Sequence, residues 1–375
     1  MNADPEMDSN SSTKVKAIAF YLPQYHPIPE NDGWWGSGFT EWRNVTRAHP
    51  LFANHYQPHL PADLGFYDLR VPEVRQQQAD LAREYGIEGF CYYHYWFDGN
   101  QLLERPVVET LETGEPDFPF CLCWANENWT RRWDGMDQEV LIGQRYSPSD
   151  DLAHIQAILP YFRDPRYIRI QNKPLFLVYR SSQLPDPRAT TTLWRQQAHA
   201  NGLEGLYLVK VESFPTERQR LPELDGFDAA LDFQPDWGSL PTKMQPHWYW
   251  RLFNKLGLSP PHPYHTNNVL QYNEVVAAML ARPTVDYPRI PCLVPSWDNT
   301  ARRRNNGATI LHNSTPEAYG HWLRSVMNDR HTLNRLPEPL LFINAWNEWG
   351  EGNHLEPCLK WGHQYLEQTG NVLLS

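Results

Sequence analysis

The sequence predicts an α/β fold, a (β/α)8 barrel carrying long aromatic-rich loop insertions after strands 1 and 6. Three observations lead there. Eight short apolar runs, rich in β-branched and aromatic residues and bounded by turn residues, alternate with longer amphipathic or polar stretches. Runs such as PLFLVY (Pro174–Tyr179) and LLFINAW (Leu340–Trp346) are almost continuously apolar, the pattern of a parallel sheet covered on both faces. The rival doubly wound sheet calls for a Gly-rich phosphate turn after an early strand, and neither GxGxxG nor GxxxxGK followed by Ser or Thr occurs.

Taken in order, strand Val15–Tyr21 is followed, beyond an insertion over Pro23–Asp68, by helix Val71–Tyr85. Strand Ile87–Phe97 leads to helix Arg105–Thr113, and strand Pro119–Trp124 to helix Ser149–Tyr161, which opens on the capping residue Ser149. Strand Pro174–Tyr179 precedes helix Ala189–Ala200, closed by Asn201 and Gly202, and strand Gly205–Val211 precedes helix Thr216–Leu224. Strand Phe227–Phe233 is separated from helix Leu270–Ala281 by the second insertion, Gln234–Val269. Strand Ile290–Trp297 runs to helix Thr315–Leu333, capped by Thr315 with Pro316 next, and strand Leu340–Trp346 to helix Trp361–Thr369. Eight such units in succession specify the TIM-barrel arrangement. Both insertions are full of Trp, Tyr, His and Pro, which suits loops packed over the barrel mouth rather than linkers. Residues 1–14 are expected to form a disordered tail and 15–375 a single catalytic domain.

Composition narrows the function. The formal charge of −11 leaves no basic excess to neutralise phosphates or anionic lipid, so no nucleic-acid partner is expected. No apolar run approaches the length of a membrane span, so no membrane insertion is expected either. Met1–Lys14 lacks the apolar core of a signal peptide, which makes a cytoplasmic location the simplest expectation. Cys91, Cys121, Cys123 and Cys292 fall inside strand-like runs and read as buried thiols, and the Cys121–Cys123 spacing is too short for a zinc chelate. His55 with His59 and His262 with His265 sit in Pro-rich, non-helical settings without an HExxH, so neither metal nor cofactor is expected. The absence of a GxSxG elbow argues against acyl hydrolysis.

In such a barrel the residues just beyond each strand line one pocket. Here they include Tyr25 and His26; His94 and Trp96; Trp124, Asn126, Glu127 and Trp129; Glu212; Asp232 and Asp236; Trp297 and Asp298; and Trp346, Asn347, Glu348, Trp349 and Glu351. Aromatic faces stack on the C–H faces of sugar rings while carboxylates, amides and imidazoles bond the hydroxyls, so the lining suits an oligo- or polysaccharide. About half of these aromatics are expected to pack in the core instead, since large aromatics are highly buried on average. Glu348 and Glu351 lie three apart directly after the last strand, so one turn puts both carboxyls on the same side. A pair about 5 to 5.5 Å apart is the geometry of retaining glycoside hydrolysis, and mutual repulsion with burial would separate the two pKa values. Arg302, Arg303 and Arg304 could hold an anionic substrate group but read more simply as a solvated loop.

Four segments carry a resemblance: AFYLPQYHPIPENDGWWGSGFTEW (Ala19–Trp42), GFCYYHYWFDG (Gly89–Gly99), PDFPFCLCWANENWTRRWDG (Pro116–Gly135) and NAWNEWGEGNHLEP (Asn344–Pro357). Through them the chain resembles the WbsX-type proteins of bacterial surface-polysaccharide gene clusters, which are similar to glycoside hydrolase family 99, the endo-α-mannosidases. The resemblance implies Glu348 as general base and Glu351 as general acid/base, acting without an enzyme nucleophile. The base would take the proton of the substrate's own 2-OH, which attacks C1 to give a 1,2-anhydro sugar that water opens with net retention. Because the 2-OH must lie trans to the leaving group, an α-manno- or α-rhamno-configured substrate is implied, with Tyr25, His94, Trp124 and Asn126 lining sugar subsites. One position departs: Gly350 stands where endo-mannosidases usually have His. The WbsX name itself implies glycosyl transfer in O-antigen assembly as the competing activity, although no DxD motif is present, and a non-catalytic glycan-binding barrel is a third possibility.

Overall fold

A computed structural model of the protein describes residues 14–131, 136–246, 250, 255–256, 262–303 and 306–375. The expected tail up to Thr13, most of the second insertion's centre and Arg304 lie outside the described residues. The barrel strands are β1 (Lys16–Tyr21), β2 (Ile87–Phe97), β3 (Phe120–Trp124), β4 (Lys173–Val178), β5 (Tyr207–Val211), β6 (Ala229–Asp232), β7 (Arg289–Leu293) and β8 (Leu340–Ile343). Each pairs in parallel with the next, and β8 returns to β1 with Lys16 opposite Leu340 and Ile18 opposite Phe342, so the sheet closes on itself. The (β/α)8 architecture expected from the run pattern is therefore the one adopted. Leu175, Leu177, Leu341 and Ile343 are wholly buried, as strands walled by the barrel interior and a helical layer must be.

Between the strands run α1 (Pro72–Glu84), α2 (Arg105–Thr113), α3 (Pro148–Arg163), α4 (Pro187–Ala200), α5 (Tyr272–Leu280), α6 (Pro316–Asn328) and α7 (Gln364–Leu373). Ser147, Asp186 and Thr315 cap α3, α4 and α6, each accepting a backbone N–H of the first turn ahead of a proline at the opening position. The helix expected over Thr216–Leu224 is instead two 3-10 turns, Pro215–Arg218 and Pro222–Asp225. Pro222 would fall inside that helix, where it has no N–H to give and its ring clashes with the preceding turn. The second turn ends at Gly226 with φ 80°, where a Cβ would meet Thr191 Oγ1 at 2.2 Å, so only glycine fits. Strand β7 stops at Leu293 rather than Trp297, because Pro295 cannot donate to the ladder. The helix expected to Leu333 breaks at Asp329, which caps a separate turn, Arg330–Leu333.

The loops after the strands supply the superstructure. The insertion after β1 contains short helices Pro29–Trp35 and Trp42–Val45. A hairpin absent from the sequence expectation, Trp129–Arg131 against Met136–Ile142, rises beyond β3. After β6, Asn268–Gln271 pairs in parallel with Thr309–His312 from the loop following β7, outside the barrel. All five cysteines are buried free thiols. No described helix is long and apolar enough to cross a membrane.

Candidate active site

At the C-terminal ends of the strands the loops enclose a cleft of about 410 Å³. Its floor is built by the segment after β8. Asn347–Glu348 pairs antiparallel with Asn353–His354, and the connection Trp349–Glu351 is a single 3-10 turn. This turn, tighter than α, carries Glu348 and Glu351 on one side, as their spacing requires. Asn347 fixes the turn to the first strand's end: its Oδ1 accepts the Leu22 N–H at 2.7 Å and its Nδ2 donates to the Leu22 carbonyl at 3.0 Å. The Tyr25 hydroxyl donates to the Asn347 carbonyl at 2.7 Å and accepts the Trp349 N–H at 3.1 Å. Behind it Trp349 stacks on His354, centroids 3.7 Å apart, and donates its Nε1–H to Glu356 at 2.6 Å.

One guanidinium ties the two carboxyls together. Arg302 Nη2 donates to Glu348 Oε2 at 2.8 Å, Nη1 reaches Glu351 Oε1 at 2.7 Å, and Nε donates to Glu41 Oε1 at 3.0 Å. Glu348 is 7% exposed and Glu351 19%, so the pair is asymmetric: one carboxyl is sunk in the floor and the other faces the cleft. Burial pushes Glu348 up to about 8; Arg302 pulls against that, and Glu351 and Glu41 add to the rise. Burial opposes the charge on Arg302 too, but Glu41, Glu351 and Glu348 more than reverse this and hold it firmly cationic. The solvated-loop reading of the arginine run thus fails for Arg302, which is an internal counter-ion.

The walls are aromatic. Trp34, Trp35, Trp129, Trp237 and Trp297 line the cleft together with Tyr93, Tyr95, Phe214 and Phe233. Trp34 meets Trp129 edge-on at 5.8 Å and Trp237 meets Trp297 at 5.3 Å, which leaves ring faces and edges along the groove. Glu127 also lines it, held by Arg180 at 2.6 Å.

Of the residues picked from strand ends, Glu127, Trp129, Trp297, Glu348 and Glu351 line the cleft. The others lie behind its walls. His94 and Trp96 point outward from β2 to α3, where His94 Nε2 is 2.9 Å from His154 Nε2 and Trp96 Nε1 donates to Asp150 at 2.9 Å. Burial lowers His94 to about 3. Trp124 packs on His154 and Trp194, Trp346 on Phe90, and His26 is 2% exposed, lowered by burial to about 4. Asn126 is spent on the Arg180 backbone, accepting its N–H at 2.7 Å and donating to its carbonyl at 3.0 Å. Tyr25, Asn347 and Trp349 brace the glutamate turn rather than face the cleft. The strand-end carboxylates Glu212, Asp232 and Asp236 are turned to Arg218, Arg282 and Arg289 in an ion-pair network, Arg218 reaching Asp236 at 2.6 Å and Arg289 reaching Glu212 at 3.2 Å. The sequence reading missed Tyr93, Tyr95, Glu41 and the clamping role of Arg302. Period-two alternation along β2 puts the two tyrosines on the face opposite His94 and Trp96, so choosing that pair excluded them.

Comparison with known proteins adds a family and a fold. The family described as "Glycosyltransferase WbsX" matches residues 17–369. The protein WxcX of Xanthomonas campestris pv. campestris is 46% identical over 358 residues, covering 95% of this chain and 49% of that protein. The chain therefore spans about half the length of the curated relatives it matches. Among solved structures, a glycoside hydrolase-like protein superposes with a TM-score of 0.55 at 16% identity, covering 99% of this chain and 97% of that one. A family 99 endo-α-mannosidase from Bacteroides thetaiotaomicron gives 0.52 at 16% identity, covering 95% and 96%. At such identity the likeness is one of fold.

Proposed function

The chain belongs to the WbsX glycosyltransferase family, and from that premise we propose that it is a carbohydrate-active enzyme that cleaves α-manno- or α-rhamno-configured glycans with retention, possessing Glu348 as base and Glu351 as acid/base. The observation that carries this reading is the Glu348–Glu351 pair, bridged by adjacent nitrogens of one guanidinium on the floor of an aromatic-walled cleft. Bridging holds both carboxyls at one place on the floor, so one can take the 2-OH proton while the other serves the departing oxygen of the same sugar. The walls offer stacking surfaces and the floor offers charge, the division of labour a sugar site needs.

In the first step Glu348 takes the proton of the 2-OH. The 2-oxygen attacks C1 as the C1–O bond breaks, and Glu351 gives its proton to the departing oxygen. Water then adds at C1, losing a proton to Glu351, while Glu348 returns its proton to the 2-oxygen; two inversions give net retention. Burial makes the ionised Glu348 a stronger base than a free carboxylate and leaves it protonated below about 8, so turnover that starts with its proton abstraction should rise as pH climbs toward that value.

A digestion screen of α-mannans and rhamnans tests the reading, with NMR of the first-formed product. Retained configuration is expected, and Glu348→Gln or Glu351→Gln should each lower turnover by about a thousandfold, the scale of a positioned proton-transfer group. Inverted product, or cleavage of a substrate lacking the 2-OH, would overturn the mechanism. The family's own description favours a second reading, glycosyl transfer. Micromolar binding of GDP- or dTDP-sugars, with no hydrolysis in the screen, would select it. Glycan binding that persists with no turnover, unaltered by either Gln variant, would identify a binding barrel.

A further inference from the structure

We propose that Arg302 is a positioning residue that sets the spacing and charge of the Glu348–Glu351 pair, and that Glu41 holds it there in the space a side chain at position 350 would otherwise fill. This rests on the reading of the two glutamates as the working pair. Each of the three nitrogens of the guanidinium serves a different carboxyl, so the group cannot turn without breaking a charge-assisted bond. Glu41 is wholly buried and comes from the insertion after β1, far from Arg302 in sequence. The two meet directly over Gly350: a Cβ there would lie 2.1 Å from Glu41 Oε1 and 2.9 Å from Arg302 Nε. A side chain at position 350 and the Glu41–Arg302 pair are therefore mutually exclusive occupants, which gives Gly350 a physical cause. A larger residue between the glutamates would expel the clamp.

The loop that delivers Arg302 is itself tied to Glu351. Arg302 follows the 3-10 turn Asn299–Ala301, capped by Asp298, whose backbone N–H donates to the Glu351 carbonyl at 2.6 Å. The Asp298 carboxylate is held by His55 Nε2 at 2.6 Å, and a Cβ on Gly352 would strike the Asp298 backbone at 3.1 Å. The loop bearing the clamp and the glutamate turn are thus joined by a backbone hydrogen bond as well as by side chains. Among the described residues, the charged and titratable groups that act most strongly on Glu348 are Arg302, Glu351 and Glu41, and Tyr25, Tyr93 and Tyr95 feel its charge in turn. Arg302 is the cation hydrogen-bonded to both carboxyls, and its charge offsets the repulsion between them.

The test separates this role from the reaction. In substrate-free protein carrying 13C-labelled glutamate carboxyls, Arg302→Met should raise the titration midpoints of both Glu348 and Glu351 by a unit or more, assigned with the single Gln variants. Arg302→Lys, which keeps the charge but not the fork, should restore the midpoints while leaving turnover reduced about tenfold. On a cleaved glycan, Arg302→Met should lower kcat about a hundredfold with KM within threefold and displace the pH profile of kcat. Gly350→Ala should move both readouts in the same direction as Arg302→Met, since its Cβ would displace Glu41 and crowd the Arg302 Nε that Glu41 holds. Unmoved midpoints in folded Arg302→Met, or a Gly350→Ala enzyme matching the parent, would overturn the proposal. If no glycan is cleaved, the carboxyl titration still decides the clamp, so failure of the glycosidase reading and failure of the clamp remain distinguishable.

Discussion

Glu356 lies in the same motif as the two cleft glutamates but performs a different task. It is buried, and it accepts hydrogen bonds from Trp349 Nε1 at 2.6 Å, Gln78 Nε2 at 2.6 Å and the Tyr67 hydroxyl at 2.8 Å. Burial pushes its carboxyl up to about 7 while these three donors pull against the rise. The sign for stability follows from linkage. Between the ordinary carboxyl value of 4.5 and about 7 the folded protein keeps a proton on Glu356 that the unfolded chain has released; Glu348 does the same up to about 8. Their contribution is therefore full below the unfolded value and is lost as pH rises through the folded values. Thermal melts from pH 4.5 to 8.5 should show wild type losing stability relative to Glu356→Gln as pH climbs; a constant difference would refute the shift. Glu356 is as visible in sequence as Glu351. Only its donors show that it braces Trp349 instead of facing the cleft.

Strand β2 shows what one element contributes and what a linear reading of it loses. Its eleven residues, Ile87–Phe97, send alternate side chains to opposite faces, so Tyr93 and Tyr95 reach the cleft while His94 and Trp96 join α3. Tyr93→Leu should weaken glycan binding by about tenfold and leave the melting temperature little changed, whereas His94→Leu should lower stability and leave binding intact; titration calorimetry and melts on the same two variants decide it. The position of this strand was legible from its apolar run, because burial on both faces leaves that signature. Which face looks into the cleft was not, since both faces are aromatic: IEGFCYYHYWF offers no polar alternation to break the tie. The two-turn link after β5 was legible only through Pro222, and the hairpin after β3 not at all, because Trp129 reads equally well as a loop aromatic.

At the scale of the molecule, the barrel closes between β1 and β8, and the floor of the cleft sits on that seam. Asn347 spans it with two hydrogen bonds to Leu22, both buried. Asn347→Ala would strand the Leu22 N–H and carbonyl without partners and should cost roughly 2 to 4 kcal/mol in urea denaturation; a loss under 1 kcal/mol would mean the seam is held elsewhere. The eightfold repeat of apolar runs made this closure legible, while the glutamate clamp was hidden because Glu41 and Arg302 are 261 positions apart. That separation governs the order of events at the ribosome. Glu41 is made 261 positions before Arg302 and Leu22 is made 325 positions before Asn347, so neither contact can form until the later partner has been added. Until Arg302 has been added Glu41 stays solvated and without this partner, and a fragment that stops before Leu340 lacks the strand that closes the barrel as well as the glutamate pair.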